Sequence, residues 1–353
     1  MDMLTLDYIK TLLPTRPDES HKMTFGNVLN IAGSINYRGA AYLSSMAALR
    51  VGAGYVSLAS SSCVCNSITA QTPNIVTIPL VTQTALMSSA ITSTAKIMSK
   101  LDQYEHTDPE AISVDAVKQL WVKLQQTSVV SVGSGLSLMG TDDQPRSPNE
   151  PQNDSDPQVQ QDNLQLKGNF DFFCHLMKAI ETSVTSLILD ADGINFYAKM
   201  IHSPNDETLP SFKLPTQSVL TPHPKELSRL LAVDVTDIQQ QREHYATLAA
   251  TKFGAVVVLK GHKTVITDGQ QTFINSTGNS ALAKAGTGDV LTGMIAGFCA
   301  QGMAPLEAAC LSVYLHGLAG DLVSKQQSCY SLLASELLDY IPKAIQFVLQ
   351  KTA

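Results

Sequence analysis

The stretch "NSALAKAGTGDVLTGMIAGF", Asn279–Phe298, sets one carboxylate, Asp289, directly behind Gly286, Thr287 and Gly288. Val290, Leu291, Met294, Ile295 and Phe298 then recur at helical spacing, which predicts a helix beginning near Asp289. The N–H groups of a glycine turn and of a helix start together form a pocket for negative charge. A carboxylate at that pocket can take a proton from a hydroxyl while the amides of Gly286, Thr287 and Gly288 hold a phosphoryl group in transit. The plainer alternative is that Asp289 only caps the helix. Two glycines just ahead of it exceed what a cap requires and favour the catalytic reading. The turn is not a Walker A loop, because GxxxxGK[ST] is absent.

Upstream of this stretch the chain alternates between two patterns. Short β-rich runs occur at Val28–Gly33, Tyr55–Ser60, Asn74–Leu80, Ser128–Gly133, Ser186–Asp190, Ser218–Pro222 and Ala255–Gly261. Several are almost wholly apolar, as expected of strands covered on both faces. Helical patterns lie between most of them, at Gly39–Val51, Val114–Gln125, Phe170–Thr182 and Thr236–Thr251. "TVITDGQQTFINS", Thr264–Ser276, reads as a hairpin turning at Asp268–Gly269. The C-terminal part is helical, over Asp289–Ala300, Pro305–Ser324 and Leu332–Leu349. The expected fold is α/β: a central, mostly parallel sheet with helices on both faces and a helical C-terminal part.

The 353 residues are expected to form one domain, spanning 1–353. "TDDQPRSPNEPQNDSDPQVQQDNLQL", Thr141–Leu166, is nearly free of apolar groups and reads as a flexible polar insertion within it. Hydrophobic residues at 44% supply a large core, and charged residues at only 16% suit a compact metabolic enzyme. A net charge of −7 gives no electrostatic footprint for nucleic acid or an acidic membrane. The six cysteines include no CxxC pair and read as reduced thiols rather than metal ligands. "MDMLTLDYIK" lacks the pattern of a signal peptide, and no uninterrupted apolar run approaches the ~20 residues that span a bilayer. The expected location is cytoplasmic.

In open α/β sheets ligands collect beyond the carboxyl ends of the strands, so motifs there carry the most information. Gly33, Ser34 and Gly39 follow the first apolar run, with Ala40 and Ala41 keeping the next helix narrow. That is a close-approach site for a ligand or simply a tight turn. Gly133 and Gly135 end another run in the same way. Asp190 and Asp192 in "LDADGINFY" can hold Mg2+ through water or hydrogen-bond a ligand, while Asp192 can instead cap a helix. In "LTPHPKEL" two prolines bracket His223 and fix its backbone, favouring a ligand contact; Glu226 suits the start of the next helix. Lys260 in "VVVLKGHKTVI" either reaches a phosphate or snorkels at the sheet rim. Gly261 and Thr264 add close approach and a hydroxyl.

These motifs, in this order, resemble the ADP/ATP-dependent NAD(P)H-hydrate dehydratase family, which has the ribokinase-like fold. The likeness runs from "SHKMTFGNVLNIAGSINYRGAA" through "DADGIN", "LTPHPKE", "VVLKGHKT" and "NSALAKAGTGDVLTG" to "YLHGLAGDL". It covers nearly the whole chain outside Thr141–Leu166. The resemblance implies repair of NADH or NADPH damaged by hydration of the nicotinamide ring. ADP or ATP phosphorylates the ring hydroxyl of the S-form hydrate, phosphate leaves, and the double bond is restored; ADP giving AMP is the expected donor. The same resemblance assigns Asp289 as the base and Gly286, Thr287 and Gly288 as the phosphoryl cradle. Ala40, Gly135 and His223 are expected to line the hydrate site, with Asp289. Lys260, Gly261, His262, Lys263, Thr264 and Gly288 are expected to contact the nucleotide. Mg2+ is expected to offset phosphate charge, with no ligands assigned to it.

Two departures stand out. The family usually has Thr-Gly before the glycine turn, where this chain has Lys284 and Ala285; Lys284 is expected to add a cation near the phosphates. The family's "GPGLG" becomes "GSGLS", Gly133–Ser137, with a less permissive residue at Ser137. The family is often fused to an N-terminal epimerase domain, and no epimerase activity is expected of this chain. The rival readings are a hydroxymethylpyrimidine- or thiazole-type kinase on the same fold and a non-catalytic nucleotide-binding regulator. The apolar C-terminal helices suggest a homo-oligomer.

Overall fold

The computed structural model describes residues 2–83, 111–136, 157–183, 186–203 and 212–350. The seven runs and the hairpin become nine strands, joined in one sheet by a two-residue strand that the sequence does not signal: β1 (Asp2–Met3), β2 (Asn27–Ile31), β3 (Tyr55–Ser61), β4 (Val76–Leu80), β5 (Val129–Val132), β6 (Ser186–Leu189), β7 (Gln217–Leu220), β8 (Val256–Leu259), β9 (Val265–Thr267) and β10 (Thr272–Ile274). Their order is β1-β10-β9-β8-β7-β6-β5-β2-β3-β4. From β4 across to β8 every pairing is parallel. The hairpin β9–β10 is antiparallel, with Thr272 opposite Thr267, and its turn holds Asp268 and Gly269.

The helices are α1 (Leu6–Leu12), α2 (Arg38–Arg50), α3 (Ser62–Gln71), α4 (Ala116–Gln125), α5 (Pro157–Ser183), α6 (Ala191–Ile201), α7 (Pro224–Leu231), α8 (Val235–Gln240), α9 (Arg242–Phe253), α10 (Thr287–Ala300), α11 (Pro305–Gln326) and α12 (Ala334–Gln350). Strands β5, β6 and β8 are buried along their whole length, because helices cover both faces of the sheet. One core joins α2 and α10–α12 to the sheet; the other joins α4–α9 to its opposite face. Helix α10 approaches α2 closely through its glycines. A Cβ at Gly293 would lie 2.0 Å from the Ser44 carbonyl oxygen, and one at Gly297 2.7 Å from that of Ala48. This contact sets α10, and with it Asp289, against the helix that carries Ala40.

Some expectations need correcting. The segment expected to be one helix over Thr236–Thr251 breaks at Gln241 into α8 and α9. Helix α5 starts at Pro157, so residues 157–166 of the expected insertion are helical. Proline suits a first helical position and the following glutamines are good helix formers, which outweighs the polarity of the segment. The rest of that segment, 141–156, and Ser137 lie outside the described residues. Helix α11 is long and apolar enough by composition to cross a bilayer, but 72% of its apolar window is buried inside the fold. It is a core helix.

The strand order reverses between β2 and β5. The chain leaves β2 toward β3 and β4, then returns to β5 on the other side of β2. Such a switch point opens a crevice at the carboxyl ends of the strands. Gly33 and Gly133–Gly135 stand at its two lips.

Candidate active site

Five strand ends deliver the site: β2 to Gly33, β5 to Gly133–Gly135, β6 to Asp190, β7 to His223 and β8 to Lys260. Gly133 has φ +126°, and a Cβ there would sit 2.0 Å from the Asp190 carbonyl oxygen. Only glycine fits. Gly135 has φ +65°, and its Cβ would meet those of Tyr37 at 2.7 Å and Ala40 at 2.8 Å. The structure therefore brings Ala40 and Gly135, two of the residues expected at the hydrate site, close together, with Tyr37 beside them.

Asp190 occupies the N-cap position of α6 but makes no capping hydrogen bond. Its side chain turns to the strand ends instead. Oδ1 accepts from Lys260 Nζ at 2.6 Å and from Thr221 Oγ1 at 2.7 Å. Burial opposes ionisation of Asp190, but the Lys260 ammonium and these hydrogen bonds outweigh it and hold the carboxyl below its ordinary range. Burial likewise opposes the charge on Lys260; Asp190 and Glu226 override it and raise its pKa. Lys260 is thus a permanent cation, neither snorkelling outward nor idle. Asp192 lies in the first turn of α6, half-buried.

His223 caps α7 in a reciprocal arrangement with Glu226. The His223 N–H donates to Glu226 Oε2 at 2.7 Å, and the Glu226 N–H donates to His223 Nδ1 at 3.2 Å. Nε2 stands 3.3 Å from Glu226 Oε1. Both ring nitrogens face Glu226, so neutral His223 presents no lone pair as a base. It suits contact with a substrate. Burial raises the Glu226 carboxyl to about 7, opposed by Lys260, whose Nζ is 3.9 Å from Oε2.

Asp289 stands in the first turn of α10, one residue beyond Gly288. Burial and then the negative charge of Asp190 push its carboxyl up to about 7, against the pull of Lys260 and a hydrogen bond from Ser134. Ser134, between Gly133 and Gly135, stands beside both carboxylates, its Oγ 3.5 Å from Asp190 Oδ2. Gly288 borders Lys260: a Cβ built at Gly288 would lie 3.6 Å from Lys260 Nζ. Gly286, with φ +91°, turns the chain into the helix. A carboxyl that titrates near neutrality beside free helix-start amides can accept a proton while those amides carry negative charge.

Behind this turn lies a cavity of about 380 Å3. Lys260, Gly261, His262, Lys263, Thr264 and Gly288 all line it, so the sequence-derived nucleotide set is brought together. Asn275, Thr277, Gly278, Asn279, Leu291 and His316 complete much of the wall. Sequence reading missed several supporting groups. The Arg242 guanidinium donates to the Leu259 and Lys260 carbonyls at 2.9 and 3.1 Å, fixing the loop after β8. Asp321 accepts from the Gly278 N–H at 2.9 Å and Asn279 Nδ2 at 2.7 Å, fixing the opposite wall. His316 and Asp321 both fall in "YLHGLAGDL", a signal already in view; Arg242 carries none. Lys284 corrects an expectation: its ammonium donates to the Tyr330 carbonyl at 2.6 Å and is absent from the cavity wall.

No three His, Cys, Asp or Glu side chains converge as a metal-binding group among the described residues. Asp190, one of the two carboxylates the sequence suggested for Mg2+, is committed to Lys260. The site fits Mg2+ only as a companion of phosphates, a mode that needs one or two carboxylates.

The mostly parallel sheet with helices on both faces has the ribokinase-like fold. The sequence pattern of the NAD(P)H-hydrate dehydratase family matches residues 28–343, and the chain belongs to that family. It is 32% identical over 346 residues to the bifunctional NAD(P)H-hydrate repair enzyme Nnr of Moorella thermoacetica, covering 98% of this chain and 54% of that protein. The chain thus spans about half the length of such bifunctional relatives. It is 32% identical over 342 residues to the ADP-dependent (S)-NAD(P)H-hydrate dehydratase of Bacillus subtilis, covering 96% of both. The structure of the Bacillus subtilis ADP/ATP-dependent NAD(P)H-hydrate dehydratase, co-crystallised with ATP and Mg2+, superposes with a TM-score of 0.66 at 29% identity, covering 98% of each chain.

Proposed function

We propose that this protein repairs hydrated NADH and NADPH, dehydrating the S-form hydrate at the expense of a nucleotide phosphoanhydride, with ADP as donor. The observation that carries the reading is the place of Asp289, between the crevice at Gly135 and the cavity at Gly288, with a carboxyl poised near 7. The hydrate would lie along Ala40 and Gly135, its ring hydroxyl toward Asp289, with His223 as a further contact. The nucleotide would occupy the cavity, its terminal phosphate against the turn Gly286–Gly288.

Hydroxide is a poor leaving group and phosphate a good one. Asp289 takes the hydroxyl proton as the oxygen attacks the terminal phosphorus, and the phosphoanhydride bond breaks with its electron pair leaving on AMP. The Gly286–Gly288 amides hold the phosphoryl oxygens, and the Lys260 ammonium offsets their charge. The carbon–oxygen bond then breaks with its electron pair leaving on phosphate. A proton departs from the neighbouring ring carbon, and the double bond returns. Asp192 would hold Mg2+ on the phosphates, where the ion supplies charge neutralisation.

The test is to incubate the protein with hydrated NADPH and either ADP or ATP, and follow absorbance of the reduced ring. Recovery with ADP, accompanied by equimolar phosphate, is expected. No recovery with either nucleotide overturns the reading, and a stable phosphorylated product would mark a small-molecule kinase instead. Scattered free cysteines support a cytoplasmic location as part of the proposal. Exposed Tyr330 and Leu333, just ahead of α12, support the homo-oligomer.

A further inference from the structure

Helix α11 runs through the core, yet one of its buried residues is polar and reaches the catalytic turn. His316 Nε2 lies 2.9 Å from the Thr287 carbonyl oxygen, and the ring lines the cavity. A carbonyl only accepts, so Nε2 carries the hydrogen and donates it. Burial and the nearby Lys260 cation push the imidazole down to about 4, against the Thr287 bond, so the ring stays neutral.

The Thr287 carbonyl and the Gly288 N–H belong to one planar trans peptide and point in opposite directions. The carbonyl of this first helical residue also takes the Leu291 N–H of α10; the His316 bond is a second restraint on the same oxygen and aims the Gly288 N–H away from α11. Lys260 Nζ stands 3.6 Å from where a Gly288 Cβ would lie, and both residues line the cavity. The Thr287 side chain braces the same turn, its Oγ1 donating within 2.9 Å of the Leu282 and Lys284 carbonyls. Gly317, next to His316, lets α11 press this close: a Cβ there would lie 2.2 Å from Thr277 Oγ1.

We propose that His316 is a positioning residue that, through the Thr287 carbonyl, orients the Gly288 amide toward the phosphoryl group being transferred. The inference rests on the function proposed above and deepens it. An amide of fixed direction costs no reorganisation when charge develops on the phosphoryl oxygens. The alternative is a core histidine that merely satisfies its own hydrogen bond.

The test compares wild type with His316→Leu, which cannot donate, and His316→Gln, whose amide can. The readouts are kcat, both KM values, ATP affinity by calorimetry and melting temperature. His316→Leu is expected to lose about 10- to 100-fold in kcat, less than the ~100- to ~1,000-fold of deleting an oxyanion donor outright. Its KM for the hydrate should stay within about twofold. His316→Gln should recover most of the loss at a melting temperature close to that of His316→Leu. Equal kcat in the two variants, or losses that follow melting temperature alone, overturn the role. A wild type without repair activity would overturn the proposed function separately. ATP affinity then decides on its own: weaker binding by His316→Leu than by His316→Gln supports the role, and equal binding overturns it.

Discussion

Lys260 Nζ donates to Asp190 Oδ1 at 2.6 Å, and the Asp190 side chain is 2% exposed. The pair places a fixed cation at the end of β8, within reach of Gly288, and a fixed anion beneath Asp289. Removing one member of a buried pair leaves an uncompensated charge, at a cost of about 3–5 kcal/mol. Lys260 is 19% exposed, so the lower end applies. Asp190→Asn is expected to lower the unfolding free energy by about 3 kcal/mol in denaturant titration. The double variant Asp190→Asn, Lys260→Met should lose less than the sum of the single changes. Strict additivity would show that the two groups are not coupled.

Asp289 must be ionised to accept a proton. Its carboxyl is raised to about 7, so kcat/KM should climb through neutrality on the acid side. Asp190 contributes to that rise, and Lys260 opposes it. In Asp190→Asn the repulsion is gone and Lys260 is released from its partner, and both changes favour ionised Asp289. The acid limb should move to lower pH. Glu226 also titrates near 7, so Glu226→Gln is the control. Asp190 raises the Glu226 carboxyl too, so the control decides: a limb that Glu226→Gln abolishes belongs to Glu226, and one that it leaves in place belongs to Asp289.

The same raised carboxyl has a stability signature. A carboxyl with a folded pKa above its unfolded value of about 3.9 destabilises the fold progressively as pH rises between the two. Asp289→Asn should therefore melt with wild type near pH 4 and above it near pH 8. Its kcat should fall by roughly 100- to 10,000-fold, as expected for a lost general base, with nucleotide binding kept. Equal melting temperatures at both pH values would mean that Asp289 is not desolvated.

Gly135→Ala adds a methyl against Tyr37 and Ala40 at a positive φ. The expected result is a raised KM for the hydrate with an unchanged KM for nucleotide, and a stability loss of more than about 1 kcal/mol. A shift in the nucleotide KM instead would place the donor on the wrong side of Asp289.

Much of this was legible in the sequence because each signal is local. The nearly all-apolar runs at 129–132, 186–189 and 256–259 read as covered strands, and Asp268–Gly269 reads as a turn whatever surrounds it. Lys260 through Thr264 follow a strand directly, so their shared wall follows from the fold. What stayed hidden depends on partners distant in the chain. Strand β1 is two residues long and exists by pairing with β10. Helix α3, "SCVCNSITAQ", is poor in strong helix formers and starts from a cap by Ser61. That Asp190 forgoes its cap for Lys260, 70 residues away, follows from tertiary structure alone. Lys284 misled for the same reason: its distance in sequence from Asp289 is short, yet its side chain runs to Tyr330.

The most direct test of the account is a crystal structure of the protein with ADP and Mg2+. The terminal phosphate should accept from the Gly288 N–H, with Lys260 Nζ and the Asp289 carboxyl on either side of the phosphorus. A nucleotide bound with its terminal phosphate away from residues 286–289 would contradict it.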